Sequence, residues 1–186
     1  MATTPPATFR RRDFGDPPPL TPRPMSASHS VISQVMLPND ANPMGNVHGG
    51  SIMRLVDIGA AVAAMRHCGR QVVTVALDHM SFLEPVFIGD LVTITSQVEY
   101  VGSTSMLVRV TVDAENPASG RKVHTSSCVL TFVALDEKNR PVPVPPLLTE
   151  TQEEEERMAE GKRLYERAKA ERNRQAQVPA DSSGGA

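Results

Sequence analysis

Apolar and polar residues alternate with a strand-like period in several stretches of the chain, and one stretch between them follows a helical period instead. Ser30–Leu37 reads as a strand, and Pro38-Asn39-Asp40-Ala41-Asn42-Pro43 as a turn-rich loop. From Gly50 to about His67 the apolar positions Ile52, Met53, Val56, Ala60, Ala63 and Ala64 keep one helical face, and Gly69 stands where a helix stop belongs. Valine-rich Gln71–Met80 predicts the next strand, before Pro85 and Gly89-Asp90 break the chain. Leu91–Tyr100 and Ser105–Asp113 predict two antiparallel strands around the turn Gly102-Ser103-Thr104. Asn116-Pro117 and Ser119-Gly120 turn the chain again, and Lys122–Leu135 predicts a long last strand. Val142–Pro146 alternates proline and cannot pair inside a sheet.

The order is one strand, one long helix, then four strands. That is an α+β pattern in which an antiparallel sheet wraps a single central helix. Apolar residues lie on more than one side of the helix, as expected of a helix buried in a curved sheet.

The flanks differ from this core. Residues 1–28 carry seven prolines between few apolar residues and are expected to be a disordered tail, as are residues 176–186. The folded domain is expected over residues 29–148. Residues 149–175 predict a charged helix, with Glu153 to Glu156 at its start and Arg167, Lys169, Arg172 and Arg174 at its end, the order that suits the helix dipole. Thr151 and Glu154 have capping-box spacing. This helix is expected to be solvated, extending the domain or touching a neighbouring subunit.

Composition narrows the partners. The net charge of −2 gives no electrostatic footprint for a nucleic acid. No apolar run approaches the ~18 residues of a membrane span, and the N-terminus has no apolar export segment. Cys68 and Cys128 define neither a disulfide framework nor a metal site. These features predict a cytoplasmic protein without a bound metal.

The candidate chemistry sits around the helix. Gly49 and Gly50 open it, and N–H groups at a helix start can stabilise negative charge on a carbonyl oxygen. Asp57 lies among Leu55, Val56, Ile58, Ala60 and Ala61, where a carboxylate needs a partner or a polar cavity. Pairing with Arg54 or Arg66 is the structural alternative to a catalytic role. Asn46 offers an amide and His48 an imidazole beside the glycines. The Gly-x-Ser-x-Gly elbow is absent, so a serine hydrolase is not expected. Gly50 and Asp57 are seven residues apart, or ~10 Å along a helix axis. One helix cannot aim both at the same carbonyl. A composite site therefore needs Asp57 from a second copy, with two such sites in a two-fold dimer.

Pro38-Asn39-Asp40-Ala41-Asn42, Gly45-Asn46-Val47-His48-Gly49-Gly50, Leu55-Val56-Asp57 and Met65-Arg66-His67-Cys68 together resemble the hotdog-fold acyl-CoA thioesterases, especially the cytosolic (brain-type) acyl-CoA hydrolases and their bacterial single-domain relatives. Phe82-Leu83-Glu84-Pro85-Val86 and Ile88-Gly89-Asp90 add to the likeness, which covers roughly residues 30–148. The resemblance implies a hotdog fold, hydrolysis of acyl-CoA to a free acid and coenzyme A, and assembly as homodimers and trimers of dimers. It implies Asn46 and Asp57 as catalytic residues. Substrate would be bound by His48, Gly49 and Gly50, with Phe82, Thr104 and Ser105 along the pantetheine tunnel. No cofactor is expected, because coenzyme A belongs to the substrate. Two other readings compete. Asp40-Ala41-Asn42-Pro43 resembles part of a hotdog enoyl-CoA hydratase motif, but Gly45 stands at its histidine position. A non-catalytic acyl-CoA-binding module would suit the tails but has no need of Asp57.

Overall fold

The computed structural model describes residues 19–176. Five strands form one antiparallel sheet: β2 (Ser30–Val35), β3 (Gln71–Asp78), β4 (Leu91–Val101), β5 (Ser105–Asn116) and β6 (Arg121–Leu135). They lie in the order β2-β4-β5-β6-β3, so β2 and β3 are the edges. A two-stranded parallel pairing of β1 (Arg23–Pro24) with β7 (Leu147–Leu148) closes one end.

Helix α1 (Gly49–Cys68) crosses the inner face of the sheet. Ile52, Leu55, Val56, Gly59, Ala60, Ala63, Ala64 and His67 recur at helical spacing and are buried. Opposite them pack Val92, Ile94, Val98, Met106, Val108, Val110, Leu130 and Phe132, alternate residues of the central strands. A Cβ on Gly59 would stand 2.9 Å from Cγ2 of Ile94, which is why the helix lies so close to β4. Gly69 ends α1 with φ of 64°, and its N–H reaches the Met65 carbonyl at 2.7 Å. Arg23 then donates to the carbonyls of Arg66 and His67. The second apolar side expected of the helix is present but uncovered: Met53 and Ile58 are exposed.

One expectation changes. The tail predicted over residues 1–28 ends earlier, because Arg23–Ser28 belongs to the fold. Met25 is fully buried, and Ser28 Oγ donates to the Met25 carbonyl and accepts the Val98 N–H. Residues 1–18 of that segment and residues 177–186 lie outside the described residues.

The charged helix α2 (Gln152–Ala176) extends the domain. It lies on the outer face of the sheet, with Ala168 buried and the Tyr165 ring 5.1 Å from that of Tyr100. Gly161 allows the approach, since a Cβ there would meet Tyr100 Cβ at 3.2 Å. Arg109 joins the layers: its Nε is 2.7 Å from buried Glu99, and its Nη2 is 3.4 Å from Glu160 on α2. The composition concealed this because the anchor is polar. At the helix start, Thr151 Oγ1 accepts the Glu154 N–H, as the capping spacing predicts, while the Glu154 carboxylate takes the Glu150 N–H.

Candidate active site

Helix α1 begins without a side-chain cap. His48 occupies the capping position but makes no capping hydrogen bond, and its side chain is exposed. Its own N–H is held by the Asp40 carbonyl at 2.7 Å, which fixes the preceding loop on the helix start. The Ser51 and Ile52 N–H groups turn back to the His48 carbonyl. The N–H groups of Gly49 and Gly50 are thus the ones a first helical turn leaves for an outside acceptor. The Phe82 ring lies over Gly49, where a Cβ would meet it at 3.3 Å, and the space above Gly50 is open. Gly49, Gly50, His48 and Phe82 are therefore brought together.

Asp57 sits two turns further along α1, half-buried, on the side that faces edge strand β3. Its Oδ1 accepts a 2.5 Å hydrogen bond from the Thr74 hydroxyl. Among the described residues no ion pair joins Asp57 to Arg54 or Arg66; Arg66 donates to the His29 carbonyl instead. The carboxylate thus points to an open strand edge with one oxygen held and the other left for a ligand.

Asn46 lies in the loop before the helix, bridged through its backbone to Phe87. The side chain that organises this loop is Asn42, whose Oδ1 accepts the N–H groups of Met44 at 2.8 Å and Asn46 at 3.2 Å. Thr104 and Ser105 are not brought to Asp57. Ser105 Oγ lies 2.6 Å from the Tyr165 hydroxyl on α2, and so faces the side of the sheet opposite α1. Reading by residue type missed Asn42 and Thr74. Asn42 passed as a turn former, and Thr74 as one β-branched residue in a valine-rich strand.

No cluster of three or more His, Cys, Asp or Glu among the described residues could hold a metal ion. No described helix is long and apolar enough to cross a membrane.

One antiparallel sheet wrapped on one long helix, with an uncapped glycine pair at the helix start and a carboxylate two turns on, is the hotdog arrangement. Comparison with known proteins agrees. The model of the thioesterase superfamily matches residues 44–120. An uncharacterized acyl-CoA thioester hydrolase of Bacillus subtilis is 39% identical over 127 residues, 68% of this chain and 74% of that protein. The acyl-CoA hydrolase of Staphylococcus aureus, solved with butyryl coenzyme A, coenzyme A and coenzyme A disulfide, superposes with a TM-score of 0.77 at 33% identity, over 84% of this chain and 95% of that one. The chain belongs to the thioesterase superfamily. The cytosolic acyl coenzyme A thioester hydrolase of Mus musculus is 36% identical over 159 residues, but the chain spans only 42% of that relative's length.

Solved variants of the Staphylococcus aureus hydrolase replace an asparagine, an aspartate 15 residues further on, or a threonine 17 beyond that, by alanine. Asn42, Asp57 and Thr74 repeat both spacings in this chain.

Proposed function

We propose that this protein is an acyl-CoA thioesterase, hydrolysing acyl-CoA to a free acid and coenzyme A, with each active site shared between two copies. The observation that carries the reading is the Asp57–Thr74 pair: a carboxylate on a helix, gripped through one oxygen, facing an unpaired strand edge. The relatives' names supply the substrate class.

The thioester carbonyl lies against the N–H groups of Gly49 and Gly50, which stabilise the charge that grows on oxygen as the tetrahedral state forms. Phe82 covers this end. Asp57 of the partner subunit acts through Oδ2, as general base on a water or as nucleophile through an anhydride. Thr74 fixes its orientation. Asn42 keeps the loop that presents the glycines, and Asn46 orients the water or the carbonyl. No cofactor takes part beyond the coenzyme A carried by the substrate.

The dimer follows from the ~10 Å between the glycines and Asp57 of one helix. Exposed Met53 and Ile58 on α1, and Val73 and Val75 on β3, offer apolar surface beside the carboxylate for a second copy to cover. A related acyl-CoA thioesterase is hexameric, which supports a trimer of such dimers. The cytosolic relative supports a cytoplasmic location.

The test is thiol release from short, medium and long acyl-CoAs, read with a thiol-reactive chromophore. Asp57→Ala and Asn42→Ala are each expected to lose about 100-fold or more in kcat. Co-expression of the two variants restores activity if sites are composite, because a mixed dimer carries one site with both residues intact. No recovery in mixed dimers overturns the shared site. No thiol release by the wild type, with acyl-CoA still bound, overturns the thioesterase reading.

A further inference from the structure

The outer face of the sheet carries a hydrogen-bonded chain of side chains that the thioesterase reading leaves unused. Oδ1 of Asp113 on β5 lies 3.0 Å from Nδ1 of His124 on β6. Nε2 of the same imidazole lies 3.0 Å from Oγ of Ser127. All three residues are solvent-accessible.

A regular strand would not build this. Residues three apart on a strand point to opposite faces. Here the register between β5 and β6 shifts, so that Val112 pairs with Ser126 while Asp113 pairs with His124. Thr125 is the extra residue. Its hydroxyl donates to the Val112 carbonyl at 2.9 Å, inside the protein. The bulge turns His124 to the face that Ser127 already occupies.

The partners set the protons. A carboxylate only accepts, so Nδ1 of the neutral ring carries its hydrogen toward Asp113. Nε2 is then the acceptor, aligned on the Ser127 O–H. That is the polarity a serine nucleophile needs, and such a constellation is recognised by geometry rather than by sequence motif.

Ser127 also borders a cavity of about 280 Å³ between α2 and the sheet, lined by Val129 and Leu164, by Arg109 and Arg167, and by the carboxylates of Asp78, Glu160 and Glu171. Two features mark it as more than a packing gap. Asp78 Oδ2 is buried there without a hydrogen-bond partner, and His79 holds a left-handed backbone with φ of 46°. Strain and unpaired polar atoms gather at sites that bind something.

We propose that Asp113, His124 and Ser127 form a second nucleophilic centre, an esterase site for small uncharged esters. Ser127 Oγ attacks the ester carbonyl carbon as its proton passes to His124 Nε2, and the carbonyl electron pair moves onto oxygen. Collapse of that anion breaks the bond to the alcohol, which leaves with the Nε2 proton. Water, deprotonated by the same nitrogen, then releases the acid and restores the serine.

The experiment is labelling of the full-length protein with a tagged fluorophosphonate, the modified residue being located by peptide mass spectrometry. Ser127 is expected to react far faster than Ser119, an exposed serine in a turn. His124→Gln is expected to slow Ser127 labelling about 100-fold, the low end for loss of a positioned base. Ser127→Ala is expected to abolish that adduct while leaving thiol release from acyl-CoA unchanged, so this proposal and the thioesterase reading stand or fall separately. Labelling of Ser127 no faster than of Ser119, or unaffected by His124→Gln, overturns it.

Discussion

Replacing Arg109 by leucine tests the polar anchor of α2. Arg109 Nε lies 2.7 Å from Glu99, whose side chain is 2% exposed, and its Nη2 lies 3.4 Å from Glu160, which is 52% exposed. The contact to Glu160 is a surface pair worth about 0–1 kcal/mol. The contact to Glu99 dominates, because its loss strands a buried carboxylate, and breaking a buried pair costs about 3–5 kcal/mol. Leucine keeps most of the arginine stem's packing, so the charge is what is tested. Burial already pushes the Glu99 carboxyl above its ordinary range, and the hydrogen bond and charge of Arg109 hold it down, helped by Arg157 and opposed by Glu160. Without Arg109 the upward displacement grows. A carboxyl raised on folding binds its proton more tightly in the native state, so stability falls as pH rises from about 4.3, the unfolded value, through the folded one. Arg109→Leu is therefore expected to be destabilised by about 3–5 kcal/mol at pH 8 and by much less near pH 5. Urea unfolding at both pH values measures this. Glu99→Gln added to Arg109→Leu is expected to recover most of the loss at pH 8, since a neutral amide needs no counter-charge. An equal loss at both pH values, or no recovery in the double variant, refutes the argument.

Other substitutions probe separate features. Thr74→Val removes the hydrogen bond that orients the Asp57 carboxylate and is expected to lower kcat roughly 10- to 100-fold, a loss of about 1.4–2.7 kcal/mol in transition-state stabilisation. Gly161→Leu would press a side chain against Tyr100 and Glu99, lift α2 and raise its cleavage by trypsin, whereas Lys162→Ala on the exposed side would not. Phe132→Ala empties the largest fully buried side chain among the described residues and is expected to cost about 3–5 kcal/mol in urea unfolding. The Cys128 thiol, pushed up by burial to about 11, is expected to resist a thiol reagent at pH 8 in the folded protein and to react at once in denaturant.

The fold was legible because one signal repeats in every element. Alternation in Leu91–Val101, Ser105–Asn116 and Arg121–Leu135 marks strands with one buried face, and the 3.6-residue spacing from Ile52 to His67 marks the helix laid on that face. Gly69 delimits the helix by a backbone angle that favours glycine. Docking of Arg23–Ser28 and of α2 was hidden for a common reason. Both are held by few side chains of low apolar density: one buried methionine and an arginine on helix carbonyls in the first case, and small residues, a tyrosine pair and an ion pair in the second. Periodicity registers wide apolar faces and passes over narrow polar anchors.

The site divides along the same line. Gly49, Gly50 and Asp57 stood out because each violates its surroundings, flexible residues at a helix start and an acid among aliphatic neighbours. Asn42 and Thr74 violate nothing locally. Asparagine suits a turn and threonine suits a strand, so their roles appear only when the fold brings Thr74 Oγ1 to Asp57 and folds the loop over Asn42 Oδ1. The same holds for His124 and Ser127, three apart on a strand, which share a face only because Thr125 is squeezed out of the ladder. A functional residue can be read from sequence when it is costly where it stands. When it is at ease locally, its function is a property of tertiary contact, and a one-residue change of register is enough to create it or remove it.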